Sequence, residues 1–142
     1  MNEQLGFTLI EIMVVVIIIG VLSAIVAPAV VGRIEDARID AAKAELRIIE
    51  SALKMYRVDN FGYPSLEEGL LALVEEPPGV NAPNWNREGY LDDEEVPHDP
   101  WGTEYQYLSP GPDGSDYYVY SFGADRAPGG AGPDADISTS DL

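Results

Sequence analysis

Three aspartates near the C-terminus are the clearest candidates for chemistry in this sequence. Asp125, Asp134 and Asp136 lie in a Gly/Pro-rich stretch at residues 123–138. Carboxylate and backbone carbonyl oxygens are the ligands that Ca²⁺ takes in proteins. The stretch is not an EF-hand, because the alternating Asp/Asn pattern, the central Gly and the terminal Glu are absent. From spacing alone, a calcium loop and a solvated acidic loop both fit.

Composition excludes several other kinds of site. The 142 residues include no Cys and one His, which removes disulfides, thiol catalysis and Cys-based zinc sites. The formal charge of −17 argues against a nucleic-acid partner, because neutralising phosphates needs a basic face. His98 beside Asp99 has the residue types of a catalytic pair, but no nucleophile motif accompanies it and prolines flank it. We therefore expect a structural loop there, and no enzyme.

A long apolar run follows an isolated carboxylate, Glu11. No charged residue occurs from Ile12 to Val31, and as a helix this run spans ~30 Å, about the thickness of a hydrocarbon core. Residues 1–6 carry no Lys or Arg and the run is too long for a signal-peptide core, which favours a retained anchor. A carboxylate at its edge either has a partner charge or lies in water at the headgroup level.

The middle of the chain predicts an amphipathic continuation of this helix. Five apolar residues recur at spacings of four and three, which places them on one helical face: Ala42, Leu46, Ile49, Leu53 and Tyr56. Glu50 and Lys54 are spaced as a favourable ion pair on another face. We expect one helix from Phe7 to Val58, weakened at Pro28 and ended by residues 60–64.

The remainder predicts a small α+β head. A capping-box pattern at Ser65 and Glu68 predicts a short helix at about residues 66–75, and a long loop should come next at 79–100. Residues 105–108 and 117–121 have the composition of strands, and 110–114 that of a turn. The architecture expected is an antiparallel sheet packed on the stem helix, with Trp101 as a core anchor.

The residues just before the apolar run resemble a known processing signal. Gly6-Phe7-Thr8-Leu9-Ile10-Glu11, followed by the apolar run, resembles the class III signal of type IV pilins and pseudopilins. The resemblance implies that a prepilin peptidase cuts between Gly6 and Phe7 and methylates the new amine. It also implies that Glu11 is the counter-charge for this amine in a neighbouring subunit. A leader that carries Glu3 and no basic residue departs from the family pattern.

Motifs along the rest of the chain resemble the major pseudopilin of type II secretion, the general secretion pathway protein G family. They include Asp59-Asn60-Phe61-Gly62-Tyr63-Pro64, Pro97-His98-Asp99-Pro100-Trp101-Gly102 and Ser121-Phe122-Gly123-Ala124-Asp125. The resemblance implies a type IV pilin-like fold with a leader at 1–6, a transmembrane and filament-core helix at 7–31, and an amphipathic helix with a periplasmic head at 32–142. It also implies an inner-membrane anchor. The positive-inside rule alone favours a cytoplasmic position for the C-terminal side, which is opposite to the periplasmic head that the resemblance implies.

The same resemblance implies one bound calcium ion in the C-terminal loop. The ligands that carry over are the side chains of Asp125 and Asp136 and the carbonyl of Phe122. The carbonyl of Ala135, with either Asp134 or Thr139, would complete the set.

The function implied is a structural subunit of the secretion pseudopilus. Many copies would polymerise through the N-terminal helix into a helical filament that drives folded proteins across the outer membrane. Implied partners are minor pseudopilins, the inner-membrane secretion platform, the prepilin peptidase and, before assembly, the lipid bilayer. Two alternatives stay open at this point: the major pilin of a type IV surface fibre, and a monomeric, membrane-anchored calcium-binding module.

Overall fold

A computed structural model describes residues 6–79 and 82–142, so residues 1–5 of the expected leader lie outside the described residues. One long helix, α1, runs from Leu9 to Asn60. It passes through Pro28 without interruption and ends two residues beyond the predicted Val58. The prediction of one continuous stem helix is confirmed.

The chain divides into two units, Met1–Asp36 and Ala37–Leu142. In the first unit, every described residue from Gly6 to Ile34 is exposed. The apolar part of α1 is long and apolar enough to cross a membrane, and none of it is buried within the chain. Exposed apolar area on this scale requires lipid or other protein to cover it.

In the second unit, α1 presents the predicted apolar stripe to the core. Ala42, Leu46, Ile49 and Leu53 are fully buried, and Tyr56 is almost so. On another face of the helix, Lys54 Nζ lies 2.9 Å from Glu50 Oε1, as the spacing predicted. The amphipathic interpretation of this stretch is confirmed.

A three-stranded antiparallel sheet supplies much of the remaining core. Its strands are β1 (Gln106–Leu108), β2 (Tyr118–Ser121) and β3 (Ile137–Ser138), in the order β1-β2-β3. Tyr107 faces Val119 across the first pair, and both side chains are buried. The two predicted strands are thus correct to within one residue, whereas no pattern in the sequence indicated β3.

The connection after α1 differs from the predicted helix at 66–75. The capping box forms: Ser65 N donates to Glu68 Oε2 at 2.7 Å, and Glu68 N donates to Ser65 Oγ at 3.3 Å. The element after this box is a five-residue 3₁₀ helix, Gly69–Leu73, and not an α-helix. Gly69 has φ +57, a left-handed conformation that does not continue an α-helix, so the cap leads into a tighter turn.

A buried carboxylate holds the turn before β1. Asp99, only 3% exposed, accepts hydrogen bonds from the backbone N–H groups of Trp101 (3.1 Å) and Thr103 (2.7 Å). Its second oxygen accepts the Ser121 hydroxyl of β2 at 2.5 Å. These bonds hold Trp101, itself 9% exposed, in the core, which confirms its predicted role as an anchor.

Four tyrosines that lie in the core or pack against it make stability sensitive to alkaline pH. Burial raises the pKa of Tyr56 and Tyr107 from 10.0 to about 12, and it raises those of Tyr105 and Tyr117 further. Carboxylates add to the last two shifts: Tyr105 donates to Glu45 at 2.6 Å and Tyr117 donates to Glu50 at 3.3 Å.

Each of these tyrosines is therefore kept neutral by the folded state. A folded-state pKa above the unfolded value contributes stability that is present below pH 10 and lost as pH rises through the folded pKa. We expect the free energy of unfolding to hold up to about pH 9 and to fall steeply between about pH 10 and 12. Urea titrations across this range would measure it. Tyr56→Phe should make the fall shallower, and an unchanged slope would contradict this account.

Candidate functional site

Glu11 lies in the first turn of α1, where it forms a capping box with Thr8. The backbone N–H and the hydroxyl of Thr8 both donate to Glu11 Oε2, each at 2.8 Å. In return, Glu11 N donates to Thr8 Oγ1 at 3.3 Å. The side chain of Phe7, next to this box, is 84% exposed. The carboxylate is thus held at the helix start, beside the position where cleavage after Gly6 would create an ammonium group.

The C-terminal aspartate loop is closed by its own hydrogen bonds. Asp136 Oδ2 accepts from Gly129 N at 3.0 Å, and Asp125 Oδ1 accepts from Ala127 N at the same distance. Asp136 N donates to the Gly129 carbonyl at 3.2 Å. These bonds use one oxygen of each of the two aspartates expected to bind calcium by their side chains, and leave the other oxygen of each available.

The two backbone carbonyls expected as ligands belong to segments that pass very close to each other. Gly123, with φ +72, comes directly after Phe122, and a Cβ at this glycine would lie 2.7 Å from the carbonyl oxygen of Ala135. Only a residue without a side chain allows this approach. The loop therefore brings its start and its end together at the positions that the resemblance named.

One atom of the loop lacks the partner that burial demands. The Oδ1 atom of Asp136 is buried and has no hydrogen-bond partner. A buried carboxylate oxygen without a partner is costly, and a bound cation is one way to satisfy it. Among the described residues, however, no group of three or more Asp, Glu or His side chains converges. A calcium site here would have to rely on carbonyl and water oxygens as much as on side chains.

The two alternative ligands are placed differently. The side chain of Asp134 is exposed at the end of a short 3₁₀ helix, Gly132–Asp134. Thr139 Oγ1 accepts from Val119 N of β2 at 3.3 Å, so its hydroxyl is already joined to the sheet. Arg126, next to Asp125, donates from its guanidinium to the Trp101 carbonyl at 2.6 Å.

His98 and Asp99 lie in different surroundings, although they are adjacent in the sequence. His98 is exposed and its backbone pairs with Glu104 in an isolated bridge. Both oxygens of Asp99 accept the structural hydrogen bonds described above. Asp99 thus holds the turn before β1, in line with the structural loop expected at this place.

Sequence reasoning missed a surface feature at the end of α1. Phe61 comes directly after the helix, has φ +63, and is 85% exposed. Its backbone N–H still donates to the Arg57 carbonyl at 2.8 Å, so Phe61 occupies the left-handed position that closes many helices. The available signal was an apolar residue that lies outside the core stripe, next to the glycine and proline that mark the helix end.

Comparison with known families decides among the functions left open. A family model described as "Type II secretion system (T2SS), protein G" matches residues 29–140. The chain belongs to this protein G family. A second model, described as "Prokaryotic N-terminal methylation motif", matches residues 1–27, which include Gly6, Phe7 and Glu11.

Individual members of the protein G family are similar over nearly the whole chain. The type II secretion system core protein G of Pseudomonas aeruginosa PAO1 is 51% identical over 141 residues, which is 99% of this chain and 97% of that protein. The core protein G of Vibrio cholerae is 44% identical over 137 residues, with 96% and 92% covered.

A solved structure agrees with the fold. The major pseudopilin from the type 2 secretion system of enterohaemorrhagic Escherichia coli matches with a TM-score of 0.67 and 38% identity, covering 79% of this chain and 94% of that one. The predicted family, its type IV pilin-like fold and the structural pseudopilus-subunit function are confirmed. These protein G relatives give no support to the surface-fibre and monomeric alternatives.

Proposed function

We propose that this chain is the repeating subunit of a pseudopilus filament, held in the inner membrane by residues 7–31 before assembly, with residues 32–142 in the periplasm. The observation that carries the proposal is the bare apolar half of α1: from Gly6 to Ile34 no described residue is buried. A helix of this kind is stable in a bilayer or against other apolar helices. In this proposal the inner membrane provides the first environment before assembly and the pseudopilus provides the second after it.

Growth of the filament depends on the kind of contact that such subunits make. When one surface of a subunit binds a different surface of the next and the rotation does not close a ring, copies add without limit. We propose that this growth pushes folded proteins through the outer membrane. Minor pseudopilins would cap the filament, and the inner-membrane secretion platform would be its partner in the membrane.

Processing prepares the helix for assembly in this proposal. The prepilin peptidase would cut between Gly6 and Phe7 and methylate the Phe7 amine. The new ammonium would then enter a low-dielectric filament core, where it needs a counter-charge. Glu11 of a neighbouring subunit is the carboxylate proposed for this role, and it would exchange its bonds to Thr8 for the ammonium.

We also propose that the aspartate loop holds one calcium ion. Asp125 and Asp136 would bind through side chains and Phe122 and Ala135 through carbonyls, with Asp134 or Thr139 completing the set. The unpartnered Oδ1 atom of Asp136 and the close approach of Gly123 to the Ala135 carbonyl support this arrangement. The ion would stabilise a loop whose regular structure before β3 is one turn of 3₁₀ helix.

The test of function compares proteins in the medium of wild-type and deletion strains by quantitative mass spectrometry. We expect the exported proteins to disappear from the medium and to accumulate, folded, in the periplasm. Complementation with the wild-type gene is the control. Intact secretion with loss of surface fibres or of twitching would instead assign the chain to a type IV pilus.

A further inference from the structure

The end of α1 carries an exposed apolar knob, which we define as Val58 and Phe61. The two side chains are 75% and 85% exposed. Lys54 and Arg57 lie beside them, around a shallow depression in the surface. Phe61 adopts the left-handed conformation that glycine or asparagine adopts with less strain. The isolated chain thus has backbone strain and an exposed aromatic ring at this position, although glycine would end the helix with less strain.

A depression with an apolar lining and acidic residues around it lies elsewhere on the same head. It has a volume of about 350 Å³ and lies between the 3₁₀ helix Gly69–Leu73 and the segment after it. Its apolar lining comes from Leu71, Ala72, Pro77 and Pro78. Its rim carries the exposed carboxylates Glu67, Glu75 and Glu76. We call it the acidic-rimmed pocket.

We propose that the knob of one subunit inserts into the acidic-rimmed pocket of the next copy of this chain. Lys54 and Arg57 would then face the carboxylates of the rim. This inference rests on the proposed function, because the second copy is a neighbour in the filament. The two surfaces are different parts of one chain, so the contact is heterologous and propagates, as a filament requires.

Charge identifies a second copy as the occupant. The chain carries a net −17, and two of its eight basic residues, Lys54 and Arg57, lie beside the knob. Heads packed side by side would repel one another unless basic groups such as these met an acidic surface of the neighbouring head. Lys54 pairs with the partly buried Glu50 at 2.9 Å. Arg57 lies 3.5 Å from the exposed Asp116 and donates to the Tyr63 hydroxyl at 3.3 Å. Both cations are more than half exposed, so these interactions are weak enough to be exchanged for a new partner.

Phe61→Gly separates this role from a structural one. Glycine relieves the left-handed strain, so the melting temperature of the variant should equal or exceed that of the wild type. Filament yield and secretion should nevertheless fall at least tenfold. A residue that served only the fold would change stability and assembly in the same direction. Normal assembly by Phe61→Gly would overturn the proposal.

Disulfide trapping tests the contact directly, because the chain has no cysteine of its own. The double variant Val58→Cys/Glu75→Cys, oxidised in assembled filaments, should give a ladder of covalent multimers. Each single variant should give none, and neither should the control pair Val58→Cys/Asp93→Cys, whose second position is exposed outside the pocket. A ladder from the control pair, or none from the test pair in intact filaments, would overturn the proposal.

Charge reversal covers the case in which the cysteine variant does not assemble. Lys54→Glu should reduce filament yield several-fold, and adding Glu75→Lys should restore it. Failure of the second change to restore assembly would count against the contact. Wild-type chain that secretes normally yet forms no filament would reject the proposed function, and this inference with it. The two failures are therefore distinguishable.

Discussion

Glu11→Gln is expected to abolish filament assembly and secretion while leaving the head folded. Glutamine keeps the shape of the side chain and can still cap the helix start, because Glu and Gln both close a capping box. Only the negative charge is lost. The melting curve of the head should therefore match the wild type, since all residues around Glu11 are exposed in the single chain.

The size of the effect depends on the cost of an unpaired ion in an apolar environment. Removing one partner of a buried ion pair costs about 3–5 kcal/mol, because it leaves the other charge uncompensated. At about 1.4 kcal/mol per tenfold change, the association of each subunit should weaken by roughly a hundredfold to several thousandfold. A polymer that adds subunits one at a time does not form under such a penalty.

Thr8→Val is the matched control for this experiment. It removes the hydroxyl that donates to Glu11 Oε2 at 2.8 Å and accepts from Glu11 N, but it retains the carboxylate. If assembly depends on the charge, this variant should assemble and secrete. Immunoblots of sheared filaments and of culture medium would measure both variants. Normal secretion by Glu11→Gln would remove the main physical support for the filament and favour a monomeric membrane-anchored module.

The stem was predictable because its signal is direct. The spacing of Ala42, Leu46, Ile49, Leu53 and Tyr56 is the helical period, and burial results from it without knowledge of the partners. A short helix after Ser65 was predictable, but its 3₁₀ geometry was not. Its capping box is typical of the start of an α-helix, but the left-handed φ of Gly69 prevents an α-helix from continuing there.

The third strand of the sheet was not predictable from the sequence. β3 has two residues, Ile137 and Ser138, too few for any alternation to be visible in the sequence. It is a strand only because Ser121 and Tyr120 of β2 pair with it. In the aspartate loop, composition predicted oxygen ligands, but the meeting of Gly123 with the Ala135 carbonyl depends on tertiary closure that no spacing reveals.

Removing calcium is expected to lower the melting temperature of the full chain in detergent. A ligand that binds only the folded state, at about 100 times its dissociation constant, stabilises by about 2.7 kcal/mol, which for a domain of roughly 100 residues is about 10 °C or more. Circular dichroism melting curves with calcium and with a chelator would measure the difference. Identical curves for the wild-type chain would reject the calcium site.

Asp136→Asn and Asp125→Ala identify the ligands in the same experiment. Both variants should melt near the temperature of the calcium-free wild type and should not respond to the ion. Asp93→Asn, an exposed carboxylate in another loop, should keep the full response and thereby control for loss of charge. Asp136→Asn distinguishes the site most sharply, because the buried Oδ1 of Asp136 lacks a partner in the protein itself. Without the ion this oxygen destabilises the loop, so its replacement should cost little stability in chelator and much in calcium.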